Sequence, residues 1–284
     1  GVDRGATVYI EGSRDMRVLD TLKITDDYLP VGETKFHAQC GNIASLLTER
    51  KNSGRNSGKQ QLTEAFGNSL RVMVVRPSTK EWIASIGCDV FGGGLGYWGW
   101  KPGEMDVCWD RTVSRDAEGI YSLDVPLTVS LDKRWGNSYA LCYEWQGRIS
   151  CCGVENLTIE SEVEDLAVNS MSEDHCWDGI YIDAAEDCWV RMVDFKNLAG
   201  SAVVVQKGGQ QITVEDCCSR NPVSEIGGWR RRTFLTMGGK TLFQRCYSEN
   251  GINDFSAGYL APGPNAFVQC DAVACHGYSG SSSS

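Results

Sequence analysis

Basic residues, histidine and proline are scarce in this sequence of 284 residues. It contains 27 Lys and Arg against 37 Asp and Glu, a formal net charge of −10, with only 3 His and 7 Pro. An acidic chain lacks the electrostatic surface that attracts nucleic acids or anionic membranes, and no apolar run approaches the ~18 residues that cross a bilayer. The composition excludes a nucleic-acid partner and membrane insertion, although a local Arg cluster can still recognise an acidic glycan.

Metal-binding and phosphate-binding motifs are also missing. None of the 13 cysteines forms a Cys-x-x-Cys pair, and His37, His175 and His276 do not flank cysteines at zinc-finger spacing. The Gly92–Gly94 run lacks the Lys-Ser/Thr that completes a phosphate-binding loop. We therefore expect no metal and no cofactor. Calcium is compatible with the acidic composition, but no calcium motif is present.

The cysteines and the chain ends bear on localisation. An odd number of cysteines leaves at least one without a partner in the chain, and their abundance favours an oxidising compartment. The chain starts at Gly1 without Met and ends in a Ser-rich tail, Ser281–Ser284, which fits either a removed leader or a fragment of a longer product. We expect a secreted protein, extracellular or on a cell surface.

Short β-rich runs recur between residues 151 and 275. A first set of apolar positions recurs at intervals of 31, 24, 29 and 25 residues, at Ile159, Val190, Val214, Phe243 and Val268. A second set, at Ile182, Val205 and Leu235, recurs at intervals of 23 and 30 residues. Such periods are typical of solenoids, and the intervening segments lack the helical period that βαβ units require. The sequence predicts an all-β protein, a right-handed parallel β-helix.

Three cysteines keep a nearly constant position after these strands. Cys217, Cys246 and Cys270 each follow the first-set strand by two or three residues. In a solenoid, equivalent positions stack about 4.8 Å apart. We expect an interior ladder of buried, mostly unpaired thiols, because the geometry of a disulfide is restrictive there.

The two halves of the sequence differ in regularity. Residues 151–275 predict regular coils, and residues 1–150 predict irregular early coils with long excursions. Thr7–Ile10 and Leu70–Val75 resemble strands, whereas the Gly- and Trp-rich run Phe91–Lys101 excludes a helix. We expect one β-helix domain over residues 1–280, followed by the Ser-rich tail at 281–284.

Several stretches resemble those of known β-helix proteins. They are Val75–Thr79 with Trp82, Gly147–Ile149, Gly153–Leu157, Pro222–Gly228 and Gly263–Cys270. The sequence is similar there to the pectate-lyase-like superfamily, and more specifically to secreted bacterial β-helix proteins without an assigned activity. The resemblance implies a parallel β-helix that meets a glycan. It names no reaction, because neither the paired Asp motif of polygalacturonases nor the calcium-binding Asp set of pectate lyases is present.

The segments that join one strand set to the next predict a groove. The segments at 161–179 and 217–231 are long, the one at 194–200 is short, and the one at 246–256 is intermediate. In a solenoid these segments all lie on the same side. A short segment between two long ones therefore forms the floor of a groove, and the long segments form its walls. Ligand sites are usually concave in this way.

Charged and aromatic side chains concentrate on these walls. Candidate catalytic residues are His175 or Glu225 as base and Asp174 or Asp254 as acid, because positioned carboxyl and imidazole groups carry acid–base catalysis. Candidate substrate-binding residues are Arg230 and Arg231 for a sugar carboxylate and Trp177 and Trp229 for a sugar ring. The plainer alternative is that the loop charges are solvated or locally paired and that His175 is structural.

Three functions remain open at this point. The first is an extracellular carbohydrate-active protein that cleaves or modifies a uronic-acid-containing polysaccharide, as a polysaccharide lyase or a glycoside hydrolase. The second is a non-catalytic glycan-binding module. The third is a structural solenoid of a cell-surface assembly or fibre, which would self-assemble through the solenoid ends.

Overall fold

The structure is a computed structural model that describes residues 7–40, 69–90, 99–163, 171–228 and 230–276. The described residues fall into two compact units. The solenoid unit comprises residues 1–15 and 146–284, and the antiparallel unit comprises residues 16–145. None of the described helices is long and apolar enough to cross a membrane.

The secondary structure is almost entirely strand. The first strands are β1 (Val8–Glu11), β2 (Asp15–Ile24), β3 (Tyr28–Leu29), β4 (Lys35–Phe36), β5 (Ala38–Cys40), β6 (Ser69–Arg76), β7 (Val107–Arg115), β8 (Tyr121–Leu123), β9 (Leu131–Asp132), β10 (Tyr139–Gln146), β11 (Ile149–Ser150) and β12 (Gly153–Glu160). The remaining strands are β13 (Ile180–Asp183), β14 (Ala185–Glu186), β15 (Trp189–Lys196), β16 (Val203–Val205), β17 (Gly209–Gln210), β18 (Thr213–Glu215), β19 (Cys218–Arg220), β20 (Phe234–Thr236), β21 (Thr241–Gln244), β22 (Tyr247–Glu249), β23 (Phe255–Ala257), β24 (Asn265–Val268) and β25 (Asp271–Val273). The described helices are α1 (Lys80–Ser85) and a 3-10 turn (Lys133–Trp135).

The solenoid unit consists of three stacks of parallel strands. Sheet 1 has the order β1-β13-β16-β20-β23, and sheet 2 has the order β11-β14-β17. Sheet 3 stacks β12, β15, the pair β18 and β19, the pair β21 and β22, and the pair β24 and β25. The chain passes through the sheets in the same sequence in successive coils, and the described pairs between coils are parallel. The predicted parallel β-helix is confirmed.

Non-glycine residues with positive φ mark the corners of the coils. One column, between sheets 2 and 3, contains Cys151, Asp187, Gln211 and Lys240. A second, within sheet 3, contains Asn156, Met192, Asp216, Arg245 and Gln269. The third follows sheet 3 and contains Asn197, Asn221 and Asn250, with φ of 61, 52 and 57°. Asn tolerates this left-handed conformation better than most residues, so its recurrence fixes the point where each coil leaves sheet 3.

The interior column of sheet 3 contains three of the five residues predicted to align. Val190, Val214 and Phe243 are paired in register. The other two positions are displaced, because Val154 and Phe267 complete the column. Ile159 lies beyond the corner at Asn156 and pairs with Phe195, and Val268 pairs with Gln244 on the outer side. At β24 the adjacent apolar residues Phe267 and Val268 give the sequence no alternation by which to choose the inward one. At β12 the strand continues past the corner, so Ile159 aligns with the second part of β15.

The predicted cysteine ladder is present. Backbone bonds link Tyr247 N to Cys217 O (2.8 Å) and Asp271 N to Cys246 O (2.9 Å), which stacks the three cysteines. Cys217, Cys246 and Cys270 are free thiols; the first two are buried and the third is half-buried. The hydrogen bond with Cys217, together with burial, raises the pKa of the Cys246 thiol well above its ordinary value. The ladder is therefore part of the apolar core of the solenoid unit.

The antiparallel unit is inserted in the chain between β1 and β11. Its main sheet has the order β4-β8-β7-β6-β10-β2-β5, and β3 pairs with β9. Buried residues of this unit include Leu22, Val72, Val74, Trp109 and Val113. The coils expected over residues 1–150 are thus represented by β1 and β11, while the described strands from β2 to β10 pair among themselves. The alternation of buried and exposed residues in β7 suits an antiparallel sheet with one covered face.

Candidate functional site

Four connections lead from sheet 3 to sheet 1 of the solenoid unit. The first spans residues 161–179, the second 197–202, the third 221–233 and the fourth 250–254. They leave the same side because they join the same two stacks, and we call this side the connection face. The lengths keep the predicted order of long, short and long, whereas the fourth connection is shorter than expected.

The first connection folds over the second. Gly200 N donates to Trp177 O (2.8 Å) and Ala199 N donates to Cys176 O (3.2 Å). A Cβ on Gly200 would overlap the indole nitrogen of Trp177, so a larger residue there would displace the indole. The half-buried indole covers the short connection, which is therefore not an open floor.

Asp178 is held at the end of the first connection. Its Oδ1 accepts from Ser201 N at 2.9 Å, so the carboxyl ties the first connection to the second. Burial raises the pKa of Asp178 above its ordinary value. A carboxyl that retains its proton more readily is the usual form of a general acid.

His175 links the first connection to the third. Nε2 lies 2.9 Å from Val223 O and 2.9 Å from Ser172 O, and Nδ1 lies 3.0 Å from Ser161 Oγ. Because Ser161 Oγ also accepts from Cys176 N at 3.0 Å, its proton can point to Nδ1 while Nε2–H donates to the carbonyls. Both ring nitrogens are thus engaged inside the fold, and the imidazole holds the walls of the expected groove together.

Two carboxylates from different connections converge on one arginine. Arg230 in the third connection donates from Nε and Nη2 to Glu173 in the first, with Nη2 3.2 Å from Oε2. The same Nη2 lies 3.5 Å from Oε2 of Glu225, and Glu225 N donates to Glu173 Oε1 at 3.2 Å. We call Glu173, Glu225 and Arg230 the acid–arginine cluster. It is partly open to solvent, since 65% of the Glu225 side chain is exposed.

The ion pair of Glu173 predicts a pH dependence of stability. Hydrogen bonds from Arg230 lower the pKa of Glu173 below its ordinary value of 4.5, so its stabilising effect is complete above that value and is lost as pH falls through the lowered pKa. The wild type should unfold at higher urea than Glu173→Gln at pH above 4.5, and the difference should shrink and then vanish as the pH falls below that value. Urea titrations at several pH values measure this. Glu160→Gln, which breaks a surface pair with Lys196, should show little pH-dependent difference; a constant gap for Glu173→Gln would contradict the prediction.

Arg231 and Asp254 lie inside the connections. Arg231 is 7% exposed and donates to Ser224 O (2.6 Å), Ser224 Oγ (3.1 Å) and Asn250 O (3.2 Å). Asp254 is 5% exposed and accepts from Ser248 Oγ and Thr233 Oγ1. Their hydrogen bonds brace the third and fourth connections. The structure does not bring these two side chains to the surface where the groove was expected.

The other predicted site residues have different positions. Asp174 and Glu225 are exposed, Arg230, His175 and Trp177 are half-buried, and Trp229 lies outside the described residues. The sequence analysis did not identify Glu173 as a site residue, although Glu173 is the first residue of the Glu-Asp-His run. It also did not predict the raised pKa of Asp178. Among the described residues no group of three or more His, Cys, Asp and Glu side chains is arranged to hold a metal ion.

The antiparallel unit has a surface depression of its own, with a volume of about 700 Å³. Asp27, Tyr28, Asp132, Lys133 and Arg134 line it. Its charges are matched locally, because Lys133 Nζ lies 3.1 Å from Asp27 Oδ1 and Arg134 Nη2 lies 2.6 Å from Asp132 Oδ2. The acid–arginine cluster differs in that two carboxylates share one cation, and we take it as the candidate site.

Comparison with solved structures finds similar chains, and two of them are phage tailspikes. No family model and no curated protein matches the sequence. The chain is similar to the tailspike protein gp49 from Pseudomonas phage LKA1, with 8% identity and a TM-score of 0.33 over 93% of this chain and 43% of that one. It is also similar to the tailspike of Acinetobacter baumannii bacteriophage AP22, solved in complex with A. baumannii capsular saccharide, with 8% identity and a TM-score of 0.35 over 94% of this chain and 47% of that one. The chain spans less than half the length of either structure.

Proposed function

We propose that this protein acts on carbohydrate and binds a polysaccharide across its connection face. The observation that carries the proposal is the convergence of Glu173 and Glu225, from two different connections, on Arg230. Carboxylates accept hydrogen bonds from sugar hydroxyls, and a guanidinium recognises planar anions with two parallel bonds. The indole of Trp177, on the same connection as Glu173, adds an aromatic surface for a sugar ring.

The proposed polysaccharide carries uronic acids. Arg230 is bound firmly to Glu173, whereas its contact with the exposed Glu225 is longer, at 3.5 Å. A sugar carboxylate can take the place of Glu225 at Nη2 without disturbing the Glu173 pair, which frees the exposed Glu225 carboxylate to accept from a sugar hydroxyl. Such a polymer occurs outside cells, so the proposal includes an extracellular or surface location.

Cleavage of the polysaccharide is the second candidate function. Oε2 of Glu173 and Oε2 of Glu225 lie within 3.2 and 3.5 Å of one guanidinium nitrogen, so the two carboxylates are no more than about 7 Å apart. Glycoside hydrolases use carboxylate pairs about 5–9.5 Å apart. The lowered pKa of Glu173 keeps it ionised, as a nucleophile or base requires, which leaves Glu225 as the acid of the pair. The three-sheet coils also support the resemblance to pectate-lyase-like proteins.

Substitution of the cluster tests the proposal. Glu173→Gln and Glu225→Gln should each weaken binding to an acidic polysaccharide identified on a glycan array by about 10-fold or more, because each removes a charged acceptor. Glu160→Gln is the matched control, since Glu160 is an exposed carboxylate on sheet 3 that pairs with Lys196, and its binding should change less than about twofold.

Product analysis then separates binding from cleavage. Incubation with the bound polysaccharide and mass spectrometry should show either intact polymer or shorter chains, and the product mass distinguishes addition of water from elimination. Wild-type affinity in both cluster variants would refute the site. Cleavage that persists in Glu173→Gln and Glu225→Gln would refute the assigned carboxylates.

A further inference from the structure

Arg232 lies at the end of the third connection, two residues before β20 begins at Phe234. It is 7% exposed, so most of its side chain has left water. Its Nε is enclosed and has no hydrogen-bond partner. Transfer of a guanidinium out of water without an acceptor is unfavourable.

The two preceding arginines of the third connection both have hydrogen-bond acceptors. Arg230 pairs with Glu173 and Glu225, and Arg231 donates to three oxygens. Arg232 makes neither kind of bond with the described residues. Its contact is with an aromatic ring, because its guanidinium carbon lies 5.2 Å from the ring centre of Tyr259.

The segment after β23 forms the other side of this site. Tyr259 and Leu260 have φ of 55 and 61°, so the chain turns sharply there, and 45% of Tyr259 remains exposed. A Cβ on Gly258 would be 3.9 Å from Nη1 of Arg232, which puts the glycine backbone beside the guanidinium. A buried cation and a half-exposed aromatic ring therefore meet beside the backbone of Gly258.

We propose that Arg232 and Tyr259 form a subsite for the oxyanion of an acidic sugar, either a carboxylate or a sulfate group. This inference rests on the proposed function, since it assigns an anionic polysaccharide to the solenoid unit. The oxyanion accepts from the terminal nitrogens of the guanidinium and supplies a counter-charge that the described residues do not. The exposed part of the Tyr259 ring packs against the sugar that carries the anion.

Thermal unfolding with small anions tests the subsite without a known polymer. Sodium glucuronate, sodium sulfate and glucose are added separately at millimolar concentration, with sodium chloride at equal ionic strength as reference. The Tm of the wild type should rise by about 2 °C or more with the oxyanion that fits, and glucose should have no such effect. A response to glucuronate assigns the site to uronic acids, and a response to sulfate alone assigns it to sulfated sugars.

Arg232→Met isolates the unpaired charge. Without ligand its Tm should lie above that of the wild type, because an enclosed cation without an acceptor has been replaced by an apolar chain of similar length. Its response to the oxyanion should be lost. Arg220→Met is the matched control: Arg220 stands 5.3 Å from the ring of Tyr247 but pairs with Asp194 at 3.3 Å, so this variant should keep the response.

Several outcomes would overturn the subsite. A lower Tm for ligand-free Arg232→Met would show that the guanidinium is a structural brace. Absence of any oxyanion response in the wild type, or an unchanged response in Arg232→Met, would remove the site. Glu173→Gln should retain the small-anion response, so a failure of the acid–arginine cluster in polysaccharide binding is distinguishable from a failure at Arg232.

Discussion

Phe243→Ala should lower the free energy of unfolding of the solenoid unit by about 3–5 kcal/mol. Phe243 is fully buried in the interior column of sheet 3. Its ring stacks on Phe267, with centres 5.1 Å apart, and meets the edge of Phe234 at 6.0 Å. Phe255 closes the cluster by stacking on Phe234 at 5.3 Å. Removal of the ring leaves a cavity between two coils that the backbone ladders on either side prevent from closing.

Urea unfolding followed by circular dichroism measures this loss. Val268→Ala is the control, because Val268 is in the same stack of strands, adjacent to Phe267, but is 44% exposed on the outer side. It should cost less than about 1 kcal/mol. An equal loss of unfolding free energy in Phe243→Ala and Val268→Ala would contradict the register of β24, because it would mean that Val268 rather than Phe267 points into the core.

Gly238→Ala should lower the free energy of unfolding of the solenoid unit by at least about 1–3 kcal/mol. Gly238 sits where the backbone of one coil crosses that of the coil before it. A Cβ there would overlap the carbonyl oxygen of Gly209 and lie 2.9 Å from that of Gln206. Both are main-chain atoms that cannot rotate away. Relief requires the two coils to separate, which weakens the bonds of Met237 N to Val205 O (2.7 Å) and Gly239 N to Gly209 O (3.3 Å).

Gly258→Ala is the matched control for this corner. Its nearest neighbour would be Leu235 Cδ1 at 3.5 Å, an ordinary van der Waals contact, and its φ is not positive. The change in stability should stay within about 1 kcal/mol and can be favourable, since alanine restricts the unfolded chain. Thermal and urea unfolding of both variants compare the two sites. Wild-type stability of Gly238→Ala would show that the coils are spaced more widely than the structure has them.

The repeat was readable from the sequence because each coil must place apolar side chains at the same interior positions. Val190, Val214 and Phe243 are aligned for this reason, and the cysteines that follow them stack as predicted. The same logic failed at Val268, where the adjacent Phe267 is equally apolar and the interior takes the larger ring. The antiparallel unit has no such period, since its strands pair with neighbours of variable spacing, and its sheet could not be deduced from recurrence.

The sequence predicted which side of the solenoid carries the connections, but it did not predict the contacts between them. The lengths of the connections follow from the positions of the strands, so their common side was predictable. Two contacts within the connections could not be predicted. Trp177 covers the second connection at Gly200, 23 positions away, and His175 contacts Val223, 48 positions away. The environment of a loop does not repeat from coil to coil, so the local sequence does not predict the direction in which each loop side chain points.

The three consecutive arginines of the third connection show this division between sequence and tertiary structure. The sequence by itself determined a parallel solenoid and a concentration of positive charge in this connection, because interior periodicity and composition are local properties. Only the tertiary structure decided that Arg230 meets Glu173, that Arg231 is sealed against Ser224 and Asn250, and that Arg232 stands against Tyr259. Adjacent residues at a corner point in different directions, so the three arginines meet partners in different segments of the chain: the first connection, the third and fourth connections, and the segment after β23.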